Sequence, residues 1–339
     1  MRAGSPVWYC PMREGGESEN ASGLPPDVGG TVVTVGTFDG VHRGHRDVLD
    51  RLTSRAHALG MRSVLVTFEP HPLEIVNPAA APLMLTVGAE KREVLAESGI
   101  DYLAVVPFTA TLARHGAREF VTRVLLDRFH MQHLLMGYDH GFGRNREGDV
   151  EVLQALGAQY GFRVEVVPPV SVGDGRPISS TSIRRAIAGG DLERASHGLG
   201  RPYAIGGRVV PGASRGRGLG FPTINLAPPS PRKLLPPEGV YAVRVQTPGG
   251  AHGGMLNLGP RPTFGDQSVG IEAHLFDASG EWYGAWVRVD FIARLRNTQK
   301  FADASALIEQ LRRDEDDARR VLARDLMNVS QPFQDNDFR

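Results

Sequence analysis

The chain holds a single cysteine, Cys10. An intrachain disulfide is therefore excluded, and a reducing compartment is the expected setting. No apolar run approaches the roughly 20 residues that a membrane-spanning helix needs. An excess of charge is missing too: Lys plus Arg and Asp plus Glu number 38 each, and no block of like charge stands out. That removes the electrostatic footprint of a nucleic-acid binder while leaving room for a small anionic ligand. Residues 1–30 lack the apolar core of a signal peptide, offering only Gly, Ser, Glu and Pro around an isolated Val7-Trp8-Tyr9. They read as a flexible extension, and the expectation is a cytoplasmic enzyme with no membrane or nucleic-acid partner. The full 339 residues suffice for two domains with a core each.

Glycine, at 41 residues, is plentiful, and its most telling use is Gly36-Thr37-Phe38-Asp39-Gly40-Val41-His42-Arg43-Gly44-His45. This stretch directly follows the β-branched run Thr31-Val32-Val33-Thr34-Val35. After it, Val48, Leu49, Leu52, Ala56 and Leu59 recur as on one face of a helix, so the whole is a strand, a loop and a helix. Gly36, Gly40 and Gly44 let the backbone turn sharply and approach a ligand, and the helix start offers unpaired N–H groups to an anion. His42 and His45, three apart, project from the first turn toward the same anion. A turn with two solvated imidazoles would use the same residues; the flanking strand and helix favour a site.

Ser63 to Phe68 is a second strand, stopped by Glu69-Pro70-His71-Pro72. Ligands collect outside the carboxyl ends of strands in open α/β sheets, which makes Phe68 and His71 candidates for the same crevice. The alternative is a Pro-rich turn capping a core strand. A helix at 91–97 leads to a strand at 102–108, and a helix over 117–129 leads to Leu134-Leu135-Met136-Gly137. Such alternation argues for a parallel sheet with right-handed crossovers. Gly137 to Arg146 then reads as a binding loop, with a merely flexible loop as the alternative. Beyond a strand at 161–167, Ser179 to Thr181 can cap a helix that carries Arg184 on its first turns. Hydroxyls, free N–H groups and a guanidinium there form a phosphate cradle, or else an ordinary cap beside a solvated Arg.

Gly198-Leu199-Gly200-Arg201-Pro202-Tyr203 opens a new region, with a boundary near residue 200. Short strands at 205–210, 239–245, 251–258, 271–276 and 285–291, separated by Gly/Pro/Asp turns, read as a small antiparallel barrel. An amphipathic helix over 302–322 closes it. Gly216-Arg217-Gly218-Leu219-Gly220-Phe221-Pro222-Thr223-Ile224-Asn225 is a glycine loop running into a hydroxyl and an amide. Glycine N–H groups can surround phosphate oxygens, and Thr and Asn supply neutral oxygens that a hydrated Mg²⁺ accepts. A long hairpin connection is the alternative, and Glu272, taken alone, reads as a solvent-facing strand residue.

The Gly36–His45 stretch, Thr67-Phe68-Glu69-Pro70-His71-Pro72, the loop from Gly137 to Gly148 and Ile178-Ser179-Ser180-Thr181-Ser182-Ile183-Arg184 occur in a telling order. It resembles the adenylyltransferase half of bacterial bifunctional riboflavin kinase/FAD synthetases. The glycine loop, Asn257-Leu258-Gly259, Arg261-Pro262-Thr263-Phe264, Glu272, Leu295-Arg296 and the last helix resemble the kinase half, so the likeness spans roughly residues 31–325. Two departures stand out: His140-Gly141, where Phe and a basic or polar residue are usual, and Ile224, where Ala is usual. The resemblance implies a Rossmann-like α/β nucleotidyltransferase domain of HxGH type over 31–200, a riboflavin kinase β-barrel over 201–326, and a flexible tail over 327–339. It also implies that ATP converts riboflavin to FMN and then FMN to FAD, with Mg²⁺, and that flavin-accepting apoproteins are partners. By that resemblance Glu272 is the kinase base and Thr223 and Asn225 bind Mg²⁺ and ATP phosphate. Gly216, Gly218, Gly220, Asn257, Arg261 and Arg296 contact ATP or flavin. Gly36, Phe38, Asp39, His42, His45, Ser180, Thr181 and Arg184 hold the ATP of the adenylyltransferase, and Phe68, Pro70, His71, Asp139 and Phe142 its flavin. The other readings are a monofunctional adenylyltransferase with a weak or inactive kinase, motivated by Ile224, and a non-catalytic flavin or nucleotide sensor.

Overall fold

The computed structural model describes residues 8–11, 24–138, 141–143, 147–170, 177–212, 215–228, 230–260 and 269–329. It forms two compact units, Met1–Pro82 with Lys91–Ile178, and Leu83–Glu90 with Ser179–Arg339.

Through the first half the chain runs β1 (Trp8–Pro11), β2 (Thr31–Val35), α1 (Arg43–Ala58), β3 (Arg62–Glu69), α2 (Pro72–Val76), α3 (Gly88–Ala96) and β4 (Tyr102–Pro107). Then come α4 (Ala117–Phe120), β5 (Met131–Gly137), α5 (Val150–Tyr160) and β6 (Arg163–Val167). The strands form one sheet in the order β1-β4-β3-β2-β5-β6, every neighbouring pair parallel. β2 is buried along its whole length, as expected of a β-branched strand covered on both faces. Val33, Val64, Leu125 and Leu134 pack on one side of the sheet; Val32, Leu65 and Leu95 meet Leu49 and Leu52 of α1 on the other. Burial of each of those two α1 leucines is worth roughly 1.5–3 kcal/mol. Strand order reverses at β2, between β3 and β5, so a ligand crevice opens at the carboxyl end of β2.

Three expectations change here. The extension expected to be flexible supplies β1, which pairs with β4 at the sheet edge, and Leu24 and Val28 join the core; Trp8-Tyr9 has strand composition, and β4 offers it an edge to pair with. The helix expected over 117–129 is α helical for one turn and continues as a π-helical stretch, Val121–Leu126. Leu59 lies just past α1, as its C-cap.

The second half runs α6 (Ser180–Ala188), α7 (Leu192–Leu199), β7 (Tyr203–Val210), α8 (Arg215–Gly218), β8 (Ile224–Ala227), β9 (Gly239–Thr247), β10 (Gly250–Pro260), β11 (Val269–Leu275), β12 (Trp286–Arg296) and α9 (Ala304–Val329). Six strands close an antiparallel barrel in the order β10-β11-β8-β7-β12-β9. Its lining alternates along each strand, with Leu256, Leu258, Ile271 and Ala273 buried inside. Outside, α9 lays Ala318 and Leu322 over Ala242, Met255 and Phe276. This compact unit takes in the chain from Ser179 onward, α7 packing against β7 and β12. The last helix continues to Val329, past the start expected for the tail.

Leu83–Glu90 belongs with this barrel. Met84 bridges Lys233, whose fully buried ammonium donates to Glu90 Oε2, Leu85 O and Ala204 O, each at 2.7 Å. Glu90 Oε1 in turn accepts from Gly206 N–H at 2.6 Å. With all three ammonium protons and both carboxylate oxygens engaged, the pair meets the condition on which buried charge is tolerated.

Candidate functional site

The first site is built at the end of β2, where Gly36 N–H donates to Val66 O at 3.0 Å. The chain then turns through φ values of 46° at Phe38, 81° at Gly40 and 42° at Val41. For the two non-glycine residues that conformation costs about 1–3 kcal/mol each, which burial of both side chains helps to hold. Asp39 between them is buried as well. α1 begins immediately: His42 is its N-cap, and His42 Nδ1 accepts from His45 N–H at 3.2 Å. The two imidazoles stack at 3.6 Å with their planes 14° apart, and the Phe38 ring lies 4.7 Å from that of His45. Because Nδ1 of His42 accepts, the neutral ring carries its proton on Nε2, a donor suited to a phosphate oxygen. Glycine at 44 leaves room for the imidazole: a Cβ there would press on two atoms of the His42 ring at 3.3 Å and lie 4.0 Å from Ile178 O. That last distance brings Ile178, the first residue of the fourth motif, to this loop.

Lys91 carries no signal in the sequence beyond heading a short helix, yet it reaches the same loop. Its Nζ donates to Thr37 O and, at 2.7 Å, to Thr67 Oγ1, while Thr67 Oγ1 donates to Thr37 O at 3.2 Å. Burial lowers the amine from 10.5 to about 8, opposed by the charges of Asp39 and Glu69.

Phe68, at the end of β3, meets Phe108 edge-on at 5.4 Å and Phe120 at 6.1 Å; Phe142 meets Phe120 at 5.1 Å. The two aromatic candidates thus share one cluster. Pro70 is exposed after a cis Glu69–Pro70 peptide. His71 caps α2: its Nδ1 accepts from Leu73 N–H at 3.2 Å and its N–H donates to Glu74 Oε1 at 3.0 Å. Of the glycine-rich loop, Phe142 and Gly148 form a bridge, and Glu147 Oε1 accepts from Ala117 N–H at 2.8 Å, docking the described part on α4. Asp139 lies outside the described residues.

Ser180, Thr181 and Arg184 fall on α6, in the second compact unit, whereas His42 and His45 belong to the first. The cap itself is a box made by Ser179 and Ser182, so Ser180 and Thr181 occupy the first two helical positions.

In the barrel, Glu272 of β11 pairs directly with Asn257 of β10 on one side and with Asn225 of β8 on the other. Directly paired residues project to the same face, so the three form one row on the outside of the barrel. The strand that carries Asn225 is too short to separate from the glycine loop by pattern alone, and this row is what the sequence conceals. Asn225 is packed so closely on Gly212 that a Cβ there would come within 2.0 Å of its amide. Ile224 pairs with Ala273, on the interior side. The glycine loop closes on itself: Gly216 O accepts from Leu219 N–H and Phe221 N–H, and a Cβ on Gly216 would meet Phe221 O at 2.2 Å. Gly220 has φ 84°, while a Cβ on Gly218 would meet nothing within 4 Å. His274, two residues from Glu272 on the same face, holds the loop's end by donating Nδ1–H to Pro222 O at 2.7 Å and meeting the Phe221 ring at 5.3 Å. It was legible as a same-face neighbour of Glu272.

Arg296, a candidate ligand, is bound to Asp314 of α9 at 2.6–3.1 Å, and Gln310 adds a bond to the same carboxylate at 2.9 Å. Arg261 lies outside the described residues. Among the described residues no three His, Cys, Asp or Glu side chains gather to hold a metal.

Residues 24–182 match the model of the FAD synthetase family, and residues 199–322 match that of riboflavin kinase. A bifunctional riboflavin kinase/FMN adenylyltransferase of Pseudomonas fluorescens is 40% identical over 88% of this chain and 96% of its own length. The enzyme of that description from Escherichia coli K12 is 38% identical over 92% and 97%, and that of Listeria monocytogenes 36% over 86% and 93%. A crystal structure from Streptococcus pneumoniae, described as a macrolide-efflux protein, superimposes with a TM-score of 0.79 at 29% identity, covering 92% of this chain and 99% of that one. Among the described residues no helix is long and apolar enough to cross a membrane.

Proposed function

This chain belongs to the bifunctional riboflavin kinase/FMN adenylyltransferase family, and on that footing we propose which of its residues carry the two reactions. It phosphorylates riboflavin to FMN with ATP in the barrel half, and in the α/β half it adenylylates FMN with a second ATP, giving FAD and pyrophosphate.

The kinase assignment is carried by the row Asn257–Glu272–Asn225. Glu272 takes the proton of the ribityl 5′-hydroxyl as that oxygen attacks the γ-phosphorus and ADP departs. Asn225, with Thr223 just before it, offers neutral oxygens beside that carboxylate, a donor set that suits Mg²⁺ completed by phosphate and water. When bound, Mg²⁺ would screen the charge of the phosphoryl oxygens. Backbone groups of Gly216, Gly218 and Gly220 line the phosphates, and Asn257 and Arg261 complete the substrate contacts. Arg296, spent on Asp314, positions α9 rather than touching substrate. Ile224 lies on the far side of the sheet from this row, which favours a working kinase over the monofunctional reading.

In the adenylyltransferase the FMN phosphate attacks the α-phosphorus and pyrophosphate leaves; no protein nucleophile is needed. His42 Nε2–H and the His45 ring donate to the triphosphate as negative charge moves to the leaving group, with Gly36, Phe38 and Asp39 shaping the loop. A preorganised donor of this kind is worth roughly 3–4 kcal/mol in the transition state. Ser180 and Thr181, within the segment matched to FAD synthetase, and Arg184 bind the phosphates. Phe68 and Phe142 offer aromatic faces to the isoalloxazine, with Pro70, His71 and Asp139 as the other residues assigned to the flavin. Flavin-accepting apoproteins are the natural recipients of the product, and the cytoplasm its setting.

Incubation with riboflavin and MgATP, and separately with FMN and MgATP, tests this when the flavins are resolved by chromatography. FAD from both is expected; FAD from FMN alone would return the monofunctional reading, and binding without turnover the sensor.

A further inference from the structure

Lys91 is a cation at the carboxyl ends of β2 and β3, and neither reaction as assigned above uses it. Its ammonium bridges Thr37 O and Thr67 Oγ1, joining the two strand ends at the point where the histidine loop departs. Thr37 O already accepts from Thr67 Oγ1 at 3.2 Å, so satisfying that carbonyl does not require the lysine. What the lysine adds is a second, charged donor that fixes the orientation of the Thr37–Phe38 peptide. This peptide matters because Phe38 takes φ 46°, a strained value that must be held from outside. The Phe38 ring then lies 4.7 Å from His45, which stacks on His42.

We infer that Lys91 is a positioning residue of the adenylyl-transfer site, holding the loop from Thr37 to His45 in the shape that aims both histidines at the nucleotide. The inference rests on the assignment of that loop to adenylyl transfer. An apolar side chain would avoid the cost of desolvating an ammonium, so stability alone does not call for a lysine there. The lowered proton affinity of the amine agrees with this, with Asp39 of the loop and Glu69 of β3 as the charges that face it.

The test is Lys91→Met, assayed for both reactions. FAD formation from FMN should lose about 10- to 100-fold in kcat, the loss expected when reacting groups are misplaced by an ångström or less, with KM for FMN within about twofold. FMN formation from riboflavin should be unchanged. In the unaltered enzyme FAD formation should fall above about pH 8, where the amine loses its charge; this alkaline limb should be missing in Lys91→Met and displaced upward in Lys91→Arg, whose guanidinium stays charged. A kcat and pH profile unaffected by Lys91→Met would overturn the inference, as would equal loss of both activities. If Lys91→Met does not fold, Lys91→Arg decides: a limb that stays at pH 8 sinks the idea. His45→Ala separates this from the underlying assignment, since intact FAD formation in that variant would remove the site itself.

Discussion

His42 caps the helix that carries His45 and lies stacked on it at 3.6 Å, so one ring closes the helix start and, under the proposed assignment, also serves with its neighbour at the nucleotide. The two tasks are separable. His45→Ala should cut FAD formation by about 10²–10³-fold, the usual cost of a preorganised donor, and spare FMN formation. His42→Ala should do the same and also lose roughly 0.5–2 kcal/mol of stability with the cap. His42→Asn should recover that stability, because Asn caps well, without recovering activity. Product chromatography and denaturant unfolding measure the two effects.

Glu272 is the complementary case. Glu272→Gln keeps the shape of the side chain in the row between Asn225 and Asn257 but removes the proposed base. FMN formation should drop by about 10²–10⁴-fold, while FAD formation from supplied FMN continues. A variant that still phosphorylates riboflavin at a tenth of the normal rate would move the base elsewhere.

Ile224 makes a prediction of no effect. Its register partner is Ala273, on the interior side, and the Asn225–Glu272 row occupies the other face. Ile224→Ala should therefore leave kcat/KM for riboflavin phosphorylation within about threefold, and should cost less stability than the roughly 2–5 kcal/mol of a fully buried site. A clear gain in kinase activity would show that the isoleucine does crowd the nucleotide.

Much of this was legible in residues whose chemistry is local. The β-branched run before Gly36 announces a central parallel strand, and short strands set between Gly/Pro/Asp turns announce the barrel. What escaped notice depends on pairing between distant segments. β8 is four residues long and shows as a strand only when Glu272 lies opposite it. Lys91 looks like any helix-start lysine until β2 and β3 are side by side. The extension over residues 1–30 reads as flexible because its strand residues are few, yet an edge strand needs only a partner. The pairing of Arg296 with Asp314 was hidden for the opposite reason: Asp314 sits in a helix whose docking the sequence does not state.

The Arg296–Asp314 pair can be tested as a clamp. Asp314 is 2% exposed and Arg296 20%. Arg296→Met would leave a buried carboxylate with only Gln310 for a partner, and should lower unfolding free energy by about 3–5 kcal/mol, the range for breaking a buried pair. Asp314→Asn should cost less, because it abolishes the buried charge along with the pair. If Arg296→Met instead keeps full stability and raises KM for riboflavin, the guanidinium is a ligand after all.

Lys91 also sets a pH dependence of stability whose sign can be worked out. The folded amine titrates at about 8, against 10.5 for an ordinary lysine. Between those values the unfolded chain binds more protons, so stability through this group rises with pH. It is lowest below pH 8, where the native state must carry a desolvated cation, and is recovered by about pH 10.5. Lys91→Met lacks the group. The stability of the unaltered protein relative to Lys91→Met, measured by denaturant unfolding, should therefore increase from pH 7 to pH 10, and a difference that stays flat would mean that the amine's proton affinity is not lowered. At pH 7 the variant should unfold no more readily than the parent even as FAD formation falls. Stability and activity would then move apart at one residue, as expected where a charge is kept for function rather than for the fold.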